Sequence, residues 1–223
     1  KMPNRDRFVL SAGHKCMAQY AVLAQMGFFP EEILDTYGSL NSKIPGHPDM
    51  HKLPGIEANT GALGHGLSIA TGMALGLKCS NLDSKVHVIM GDGELPEGSN
   101  WEAVAAAAHY KLDNLMVFVD YNRLQISGDT AEVMNMEPMD DKFKAFGWKT
   151  ANIDGNNMEE VVRTIENLSV KDGKPKAIIA NTIKGKGVSF AEDNYKYHYW
   201  KPKKEELEKA ISELDAVVRG ESE

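Results

Sequence analysis

Hydrophobic and polar positions along the chain alternate between short continuous apolar runs and longer segments with helical spacing. Each apolar run is bounded by glycine, polar or charged residues, which is typical of a strand buried on both faces. The runs predict strands over residues 86–90, 115–119, 148–153 and 177–180. The helical spacing predicts helices over residues 16–27, 64–77, 101–110, 140–146, 158–168 and 203–219, with a further short helix beginning at Pro30.

The order of these elements predicts the fold class. Strands that alternate with helices form βαβ units, and right-handed crossovers then build a parallel sheet with helices on both faces. We therefore expect an open doubly wound α/β fold in which residues 1–223 form a single domain. Residues 41–61 carry three prolines and three glycines without periodicity, and irregular segments of this length are usually either functional or disordered.

Composition and charge exclude several classes of protein. The 25 Lys and Arg residues against 32 Asp and Glu residues give a net charge of −7, which argues against a broad nucleic-acid surface but allows a local anion site. No apolar run is long enough to span a membrane, and residues 1–7 lack the apolar segment of a signal peptide. Cys16 and Cys79 are too few for a disulfide framework, which favours a reducing, cytoplasmic compartment.

The residues that follow the predicted strands are the candidates for chemistry, because ligands of such sheets bind beyond the carboxyl ends of the strands. Gly91-Asp92-Gly93 follows one strand, and Asn122 lies shortly after the next. Carboxylate and amide oxygens suit Mg²⁺, and flanking glycines let backbone N–H groups approach a diphosphate. Either motif alone is more often a simple turn. Together, at the ends of successive strands, they predict a metal–diphosphate site.

Gly91-Asp92-Gly93 followed by Asn122 resembles the thiamine-diphosphate fingerprint, and four further motifs resemble transketolase. They occur in that family's order and extend the resemblance over nearly the whole chain. These motifs are Arg-Asp-Arg-Phe-Val-Leu-Ser-Ala-Gly-His over residues 5–14, Pro-Gly-His-Pro over residues 45–48, Thr-Gly-Ala-Leu-Gly over residues 60–64, and Met-Gly-Asp-Gly-Glu-Leu-Pro-Glu-Gly over residues 90–98.

The resemblance implies the N-terminal, diphosphate-binding subunit of a split transketolase, which uses thiamine diphosphate and Mg²⁺, or Ca²⁺ or Mn²⁺ in its place. Such an enzyme transfers a two-carbon ketol unit from a ketose to an aldose. The resemblance also implies a separate pyrimidine-binding subunit, with two such pairs forming a hetero-tetramer, so we expect the chain alone to be inactive. Family members begin several tens of residues earlier, and the start of this sequence is therefore expected to be truncated.

The resemblance also assigns the cofactor-binding residues. The side chains of Asp92 and Asn122 and the carbonyl of Leu124 become the metal ligands. Gly93 offers its N–H to the diphosphate, and Ile126 lies under the thiazolium ring. Backbone facing the aminopyrimidine is supplied by Gly61, Ala62 and Leu63.

Three histidines and two glutamates match catalytic positions of the family. His14 and His198 resemble residues near the diphosphate and the substrate, and His47 resembles a residue that faces the substrate hydroxyls. Histidine suits these tasks because it exchanges protons near neutral pH. Glu97 and Glu102 resemble the acidic residues that link paired active sites across a dimer interface, although carboxylates are also common at helix starts.

Some positions depart from the family pattern or stay open. Arg123 replaces a frequent Gly, His65 replaces a frequent Gln, and Tyr199 follows His198 where Gly is usual. Nearby, Lys184 and Lys186 suit either attraction of an anionic substrate or an ordinary solvated surface.

Two alternative functions remain at this point. One is a 1-deoxyxylulose-5-phosphate synthase or another thiamine-diphosphate enzyme built from the same domain. The stretch 97–102 and the loop 45–48 favour transketolase over it. The other is a non-catalytic binding or scaffolding module that retains the fold.

Overall fold

Five parallel strands form the central sheet of the computed structural model, which describes residue 2 and residues 4–220. Their order across the sheet is β1-β2-β3-β7-β6. The strands are β1 (Arg7–Leu10), β2 (Val86–Gly91), β3 (Leu115–Tyr121), β6 (Lys149–Asp154) and β7 (Lys176–Asn181), and a small antiparallel hairpin is formed by β4 (Leu124–Gln125) and β5 (Gly128–Asp129).

Helices cover both faces of the sheet, which confirms the predicted fold class. Residues of α2, α3 and α5 share one core cluster with Val88 and Val117 of the sheet. On the opposite face, Leu168 of α6 packs with Met116 and Ile178. The helices are α1 (Cys16–Gln25), α2 (Gly66–Cys79), α3 (Gly98–His109), α4 (Thr130–Val133), α5 (Met139–Ala145), α6 (Met158–Leu168) and α7 (Lys204–Arg219).

Strand β1 was absent from the sequence prediction. It pairs in parallel with β2, from Arg7 opposite Val86 to Leu10 opposite Ile89. Its four residues lie at the sheet edge and begin with a charged side chain, so the apolar run is too short to stand out. The omission matters because the loop after β1 carries residues of the site.

The predicted helices are present, with ends shifted by a few residues. The helix predicted from residue 101 begins at Gly98, and the one predicted from residue 64 begins at Gly66. After Pro30 the chain forms a 3-10 helix, Glu31–Thr36. Helix ends are the least certain part of any pattern-based prediction, since capping and tertiary packing decide them.

The segment 41–61 contains no helix or strand, as predicted, and it packs against α1. The Tyr20 hydroxyl donates a hydrogen bond to the Pro45 carbonyl at 3.0 Å, and the Cys16 thiol donates to the Gly46 carbonyl at 3.2 Å. Both donors are fully buried. These contacts fix the segment directly before His47.

Candidate functional site

A cavity of 390 Å³ lies at the carboxyl edge of the sheet, where the loops after β1, β2, β3 and β7 meet the segment 41–61. Parallel strands end at one edge, so residues distant in sequence converge there. The lining consists of Ala12, His14, Lys15, His47, Gly61, Leu63, Gly91, Asp92, Gly93, Glu94, Asn122, Leu124, Gln125, Ile126, Ser127, Lys184, His198 and Tyr199.

Asp92 and Asn122 both line this cavity with side-chain oxygens. The two oxygens of the Asp92 carboxylate accept hydrogen bonds from the N–H groups of Gly93 and Arg123, each at 2.7 Å. Burial raises the pKa of Asp92 to about 6, although these two hydrogen bonds oppose the shift. The Asn122 Oδ1 atom accepts from the Leu124 N–H at 3.1 Å. Among the residues that the structure describes, no cationic side chain forms an ion pair with the Asp92 carboxylate.

This donor set fits a magnesium ion that also binds a diphosphate. Within residue 2 and residues 4–220, no group of three or more His, Cys, Asp or Glu side chains gathers to hold a metal. One carboxylate, one amide oxygen and a carbonyl leave several positions of an octahedron for phosphate and water. A Cβ on Gly93 would lie 3.0 Å from Gln125 Cγ, so a glycine keeps this backbone open to an anion.

Glu94 joins three of the sequence motifs although no prediction singled it out. Its carboxylate accepts hydrogen bonds from the Ser11 hydroxyl, from the Gly64 N–H at 2.9 Å and from the Gly91 N–H at 3.2 Å. The side chain is 1% exposed. Glu94 thereby ties the loops after β1 and β2 to the segment that carries Gly61.

His14, His47 and His198 line the cavity. The ring centroids of His14 and His198 lie 5.2 Å apart. Partial desolvation by the cavity walls, followed by the charge of His198, lowers the pKa of His14 to about 4. Burial, followed by the charge of Lys184, also lowers the pKa of His198. His47 reaches the cavity from the segment 41–61. A neutral imidazole can both accept and donate a hydrogen bond here.

An ion pair that the sequence did not predict, Lys15 with Asp120, adjoins Asn122. Lys15 contacts the Asp120 carboxylate, which also accepts hydrogen bonds from the Thr182 hydroxyl and from Asn122 Nδ2, the latter at 3.3 Å. Burial opposes ionisation, yet the contacts with Lys15 and Thr182 lower the pKa of Asp120. Lys15 directly follows His14 in its motif, and Asp120 precedes Asn122 by two residues, so proximity to the motifs was the available signal.

Four predicted residues lie outside the cavity lining. Ala62, Glu97 and Glu102 are exposed. Glu97 immediately precedes helix α3, and Glu102 lies in its first turns. Lys186 faces solvent beside Glu192, with its Nζ 3.5 Å from a carboxylate oxygen. Of the two candidate lysines, only Lys184 lines the cavity.

Two of the three departures from the family pattern, Arg123 and His65, make local contacts. Arg123 has a φ of 63°, a conformation that favours glycine, and its guanidinium lies 4.4 Å from the centre of the Tyr121 ring. The same guanidinium donates to Asn181 Oδ1 at 2.8 Å. His65 is exposed, with Nδ1 3.1 Å from the Leu63 carbonyl oxygen.

Fold and site together define a class: an α/β protein that can hold a cation and a diphosphate at the carboxyl edge of a parallel sheet. Residues 1–215 match the family model described as transketolase, thiamine diphosphate binding domain. The chain belongs to this family. None of its helices, within the part of the chain that the structure describes, is long and apolar enough to cross a membrane.

Individual relatives agree with this assignment. The chain is 48% identical over 212 residues to one subunit of the apulose-4-phosphate transketolase of Actinobacillus succinogenes, a match that covers 95% of this chain and 76% of the relative. It is 46% identical over 213 residues to one subunit of the 6-deoxy-6-sulfo-D-fructose transketolase of a Clostridium species. That match covers 96% of this chain and 78% of the relative.

Among solved structures, the transketolase of Campylobacter jejuni is similar with a TM-score of 0.90 and 35% identity. The match covers 95% of this chain and 34% of that one. The chain thus spans about a third of this solved transketolase.

Proposed function

We propose that this chain is the diphosphate- and Mg²⁺-binding subunit of a split transketolase that transfers a two-carbon ketol unit from a ketose to an aldose. The observation that carries the proposal is that Asp92 and Asn122 line the same cavity as His14, His47 and His198. Two relatives of similar sequence are named as transketolase subunits, which supports the same activity and a role in carbohydrate metabolism.

Binding of the cofactor falls to the residues at the floor of the cavity. Asp92, the Asn122 amide and the Leu124 carbonyl would hold Mg²⁺, and the backbone at Gly93, whose N–H donates to Asp92 Oδ1 here, would lie beside the diphosphate. When bound, thiamine diphosphate supplies the nucleophilic carbon and the electron sink for cleavage of a carbon–carbon bond beside a carbonyl. Ile126 would provide an apolar contact for the thiazolium ring. The backbone of Gly61, Ala62 and Leu63 would contact the aminopyrimidine.

The histidines handle the sugar. His47 would face the substrate hydroxyls, and His14 and His198 would lie near the diphosphate and the substrate. Since cavity desolvation lowers the pKa of His14 to about 4, its ring is neutral near pH 7 and can accept a hydrogen bond from a substrate hydroxyl. Lys184 adds positive charge for an anionic substrate.

A second subunit completes the active site in this proposal. It carries the pyrimidine-binding domain, and two such pairs assemble into a hetero-tetramer in which Glu97 and Glu102 link the paired sites. Both glutamates are exposed in the isolated chain and thus accessible to a partner. The free thiols of Cys16 and Cys79 favour a reducing, cytoplasmic location.

Reconstitution of the chain with a pyrimidine-binding subunit tests the proposal. The complex with Mg²⁺ and thiamine diphosphate is expected to consume a ketose donor in the presence of an aldose acceptor, and Asp92→Asn is expected to abolish this turnover. Asp83→Asn, an exposed carboxylate beside Lys171, is the matched control and should retain activity. Consumption of pyruvate instead of a ketose would support the synthase alternative. Full activity of Asp92→Asn would contradict the metal assignment.

A further inference from the structure

Lys15 is a cation of the cavity that no sequence motif assigned, and its only described acceptor is an internal carboxylate, Asp120. Resting on the proposed function, we propose that Lys15 binds the diphosphate anion and that Asp120 holds it in place until the anion arrives. The pair lies at the same edge of the sheet as Asp92.

Position is the first support for this role. Lys15 ends the short 3-10 helix Gly13–Lys15, which follows β1 directly. Its Nζ would lie 3.5 Å from a Cβ on Gly91, so the ammonium group stands over the backbone that leads into Asp92. Lys15 also lines the cavity. An anion held by Mg²⁺ at Asp92 would therefore lie beside this ammonium group.

Charge balance is the second support. The cavity lining carries the carboxylates of Asp92 and Glu94 and the ammonium groups of Lys15 and Lys184, and Lys15 contacts the further carboxylate of Asp120. The side chains of Lys15 and Asp120 are 25% and 27% exposed, so an entering anion can compete for this pair. Thiamine diphosphate with Mg²⁺ brings a net negative charge to the phosphate end of the site. A mobile ammonium group offsets that charge without further rearrangement of the backbone.

The surroundings of Asp120 make the exchange feasible. When Lys15 leaves, Asp120 keeps the hydrogen bonds from the Thr182 hydroxyl and from Asn122 Nδ2. The carboxylate is then still partnered, so it does not become an unsatisfied buried charge. Lys186, by contrast, faces solvent next to Glu192 and is outside the cavity. It provides a matched lysine with no expected part in anion binding.

Titration calorimetry with inorganic pyrophosphate and Mg²⁺ on the full chain tests the proposal without thiamine chemistry. Lys15→Met is expected to weaken pyrophosphate binding by about 10- to 100-fold, the effect of one lost charged hydrogen bond. The pyrophosphate affinity of Lys15→Arg should stay within about threefold of that of the unchanged chain, because the guanidinium keeps the positive charge and can reach the same anion. Lys186→Met should leave the affinity unchanged.

Three outcomes would overturn the proposal. These are undiminished affinity in Lys15→Met, equal losses in Lys15→Met and Lys15→Arg together with lower melting temperatures, and no pyrophosphate binding by the unchanged chain. The second pattern would mark Lys15 as purely structural. The first two leave the proposed function untouched, whereas the third would also count against a diphosphate site in the isolated chain; the Asp92→Asn complex assay decides the transketolase activity separately.

Discussion

At the scale of single residues, Asp92 carries a conflict between folding and function. Its carboxylate is 4% exposed and accepts two backbone hydrogen bonds, yet burial still raises its pKa to about 6. An ionised carboxylate in such a place costs stability until a cation arrives. The site is thus built to gain more from Mg²⁺ than an exposed aspartate would.

The raised pKa of Asp92 predicts a pH-dependent stability of the metal-free chain. Between pH 4 and pH 6 the folded carboxyl keeps a proton that the unfolded one, with its usual pKa of 3.8, releases. Folding stability therefore falls as the pH rises through this window, by about 2–3 kcal/mol. Denaturant unfolding of the unchanged chain and of Asp92→Asn at pH 4.5 and pH 7.5 measures the difference.

Comparing the unchanged chain with Asp92→Asn removes the contribution of His14 to the pH dependence, because both proteins contain it. Added Mg²⁺ should stabilise the unchanged chain at pH 7.5 much more than at pH 4.5, because only the ionised carboxylate is a ligand. A stability difference between the chains that is the same at both pH values would refute the assignment of this cost to Asp92.

Glu94 supplies a second residue-scale prediction. Glu94→Leu removes the acceptor for the Ser11 hydroxyl and for the N–H groups of Gly64 and Gly91. Three buried donors without partners are expected to lower the free energy of unfolding by at least about 3 kcal/mol. Glu97→Leu, three residues along and exposed, should change it by less than about 1 kcal/mol in the isolated chain. Equal effects in chemical denaturation would show that the buried network contributes little.

At the scale of elements, the close approach of α2 to the loop after β1 sets a strict limit on side-chain size. A Cβ on Gly66 would lie 2.5 Å from Ser11 Cα, whereas Gly72 in the same helix has open space around it. Gly66→Ala is expected to destabilise the chain by about 2 kcal/mol or more through overpacking. Gly72→Ala should stabilise it by roughly 0.5–1 kcal/mol because alanine favours helix. Thermal melts of both variants check the contrast.

The strands of the central sheet show which elements the sequence could predict and which it could not. Apolar runs identified β2, β3 and β7, which lie inside the sheet, whereas β6 was predicted although it is an edge strand with mostly exposed or half-buried residues. Strand β1 depends on its pairing with β2 rather than on its own pattern. Pairing of that kind is a tertiary property that no local periodicity carries.

Prediction of the site followed a similar division. The rule that ligands bind beyond the carboxyl ends of strands located Asp92 and Asn122. Lys15 and Glu94 needed the three-dimensional arrangement, since their partners lie 105 residues away in one case and 83 residues in the other. Whether the assigned residues act as proposed stays a prediction until the variants are measured.

At the scale of the whole molecule, two side chains of the cavity lining face solvent and leave room for a partner surface. Ile126 and Tyr199 are 56% and 73% exposed. The isolated chain is therefore expected to give no ketol transfer with Mg²⁺ and thiamine diphosphate. Addition of the pyrimidine-binding subunit should restore turnover until the two are equimolar. A coupled assay for ketose consumption during titration with the subunit measures this, and turnover by the rigorously purified chain alone would disprove it.

The two cysteines differ in a way that is useful at the bench. Cys16 is fully buried beneath the segment 41–61, and burial raises the pKa of its thiol, which keeps it protonated and unreactive. Cys79 is exposed at the last turn of α2, whose first turn lies beside Ser11 at the site. A maleimide dye added to the unmodified chain should thus attach at Cys79. Its emission can then report assembly with a partner from a position about 20 Å along the helix from the catalytic edge.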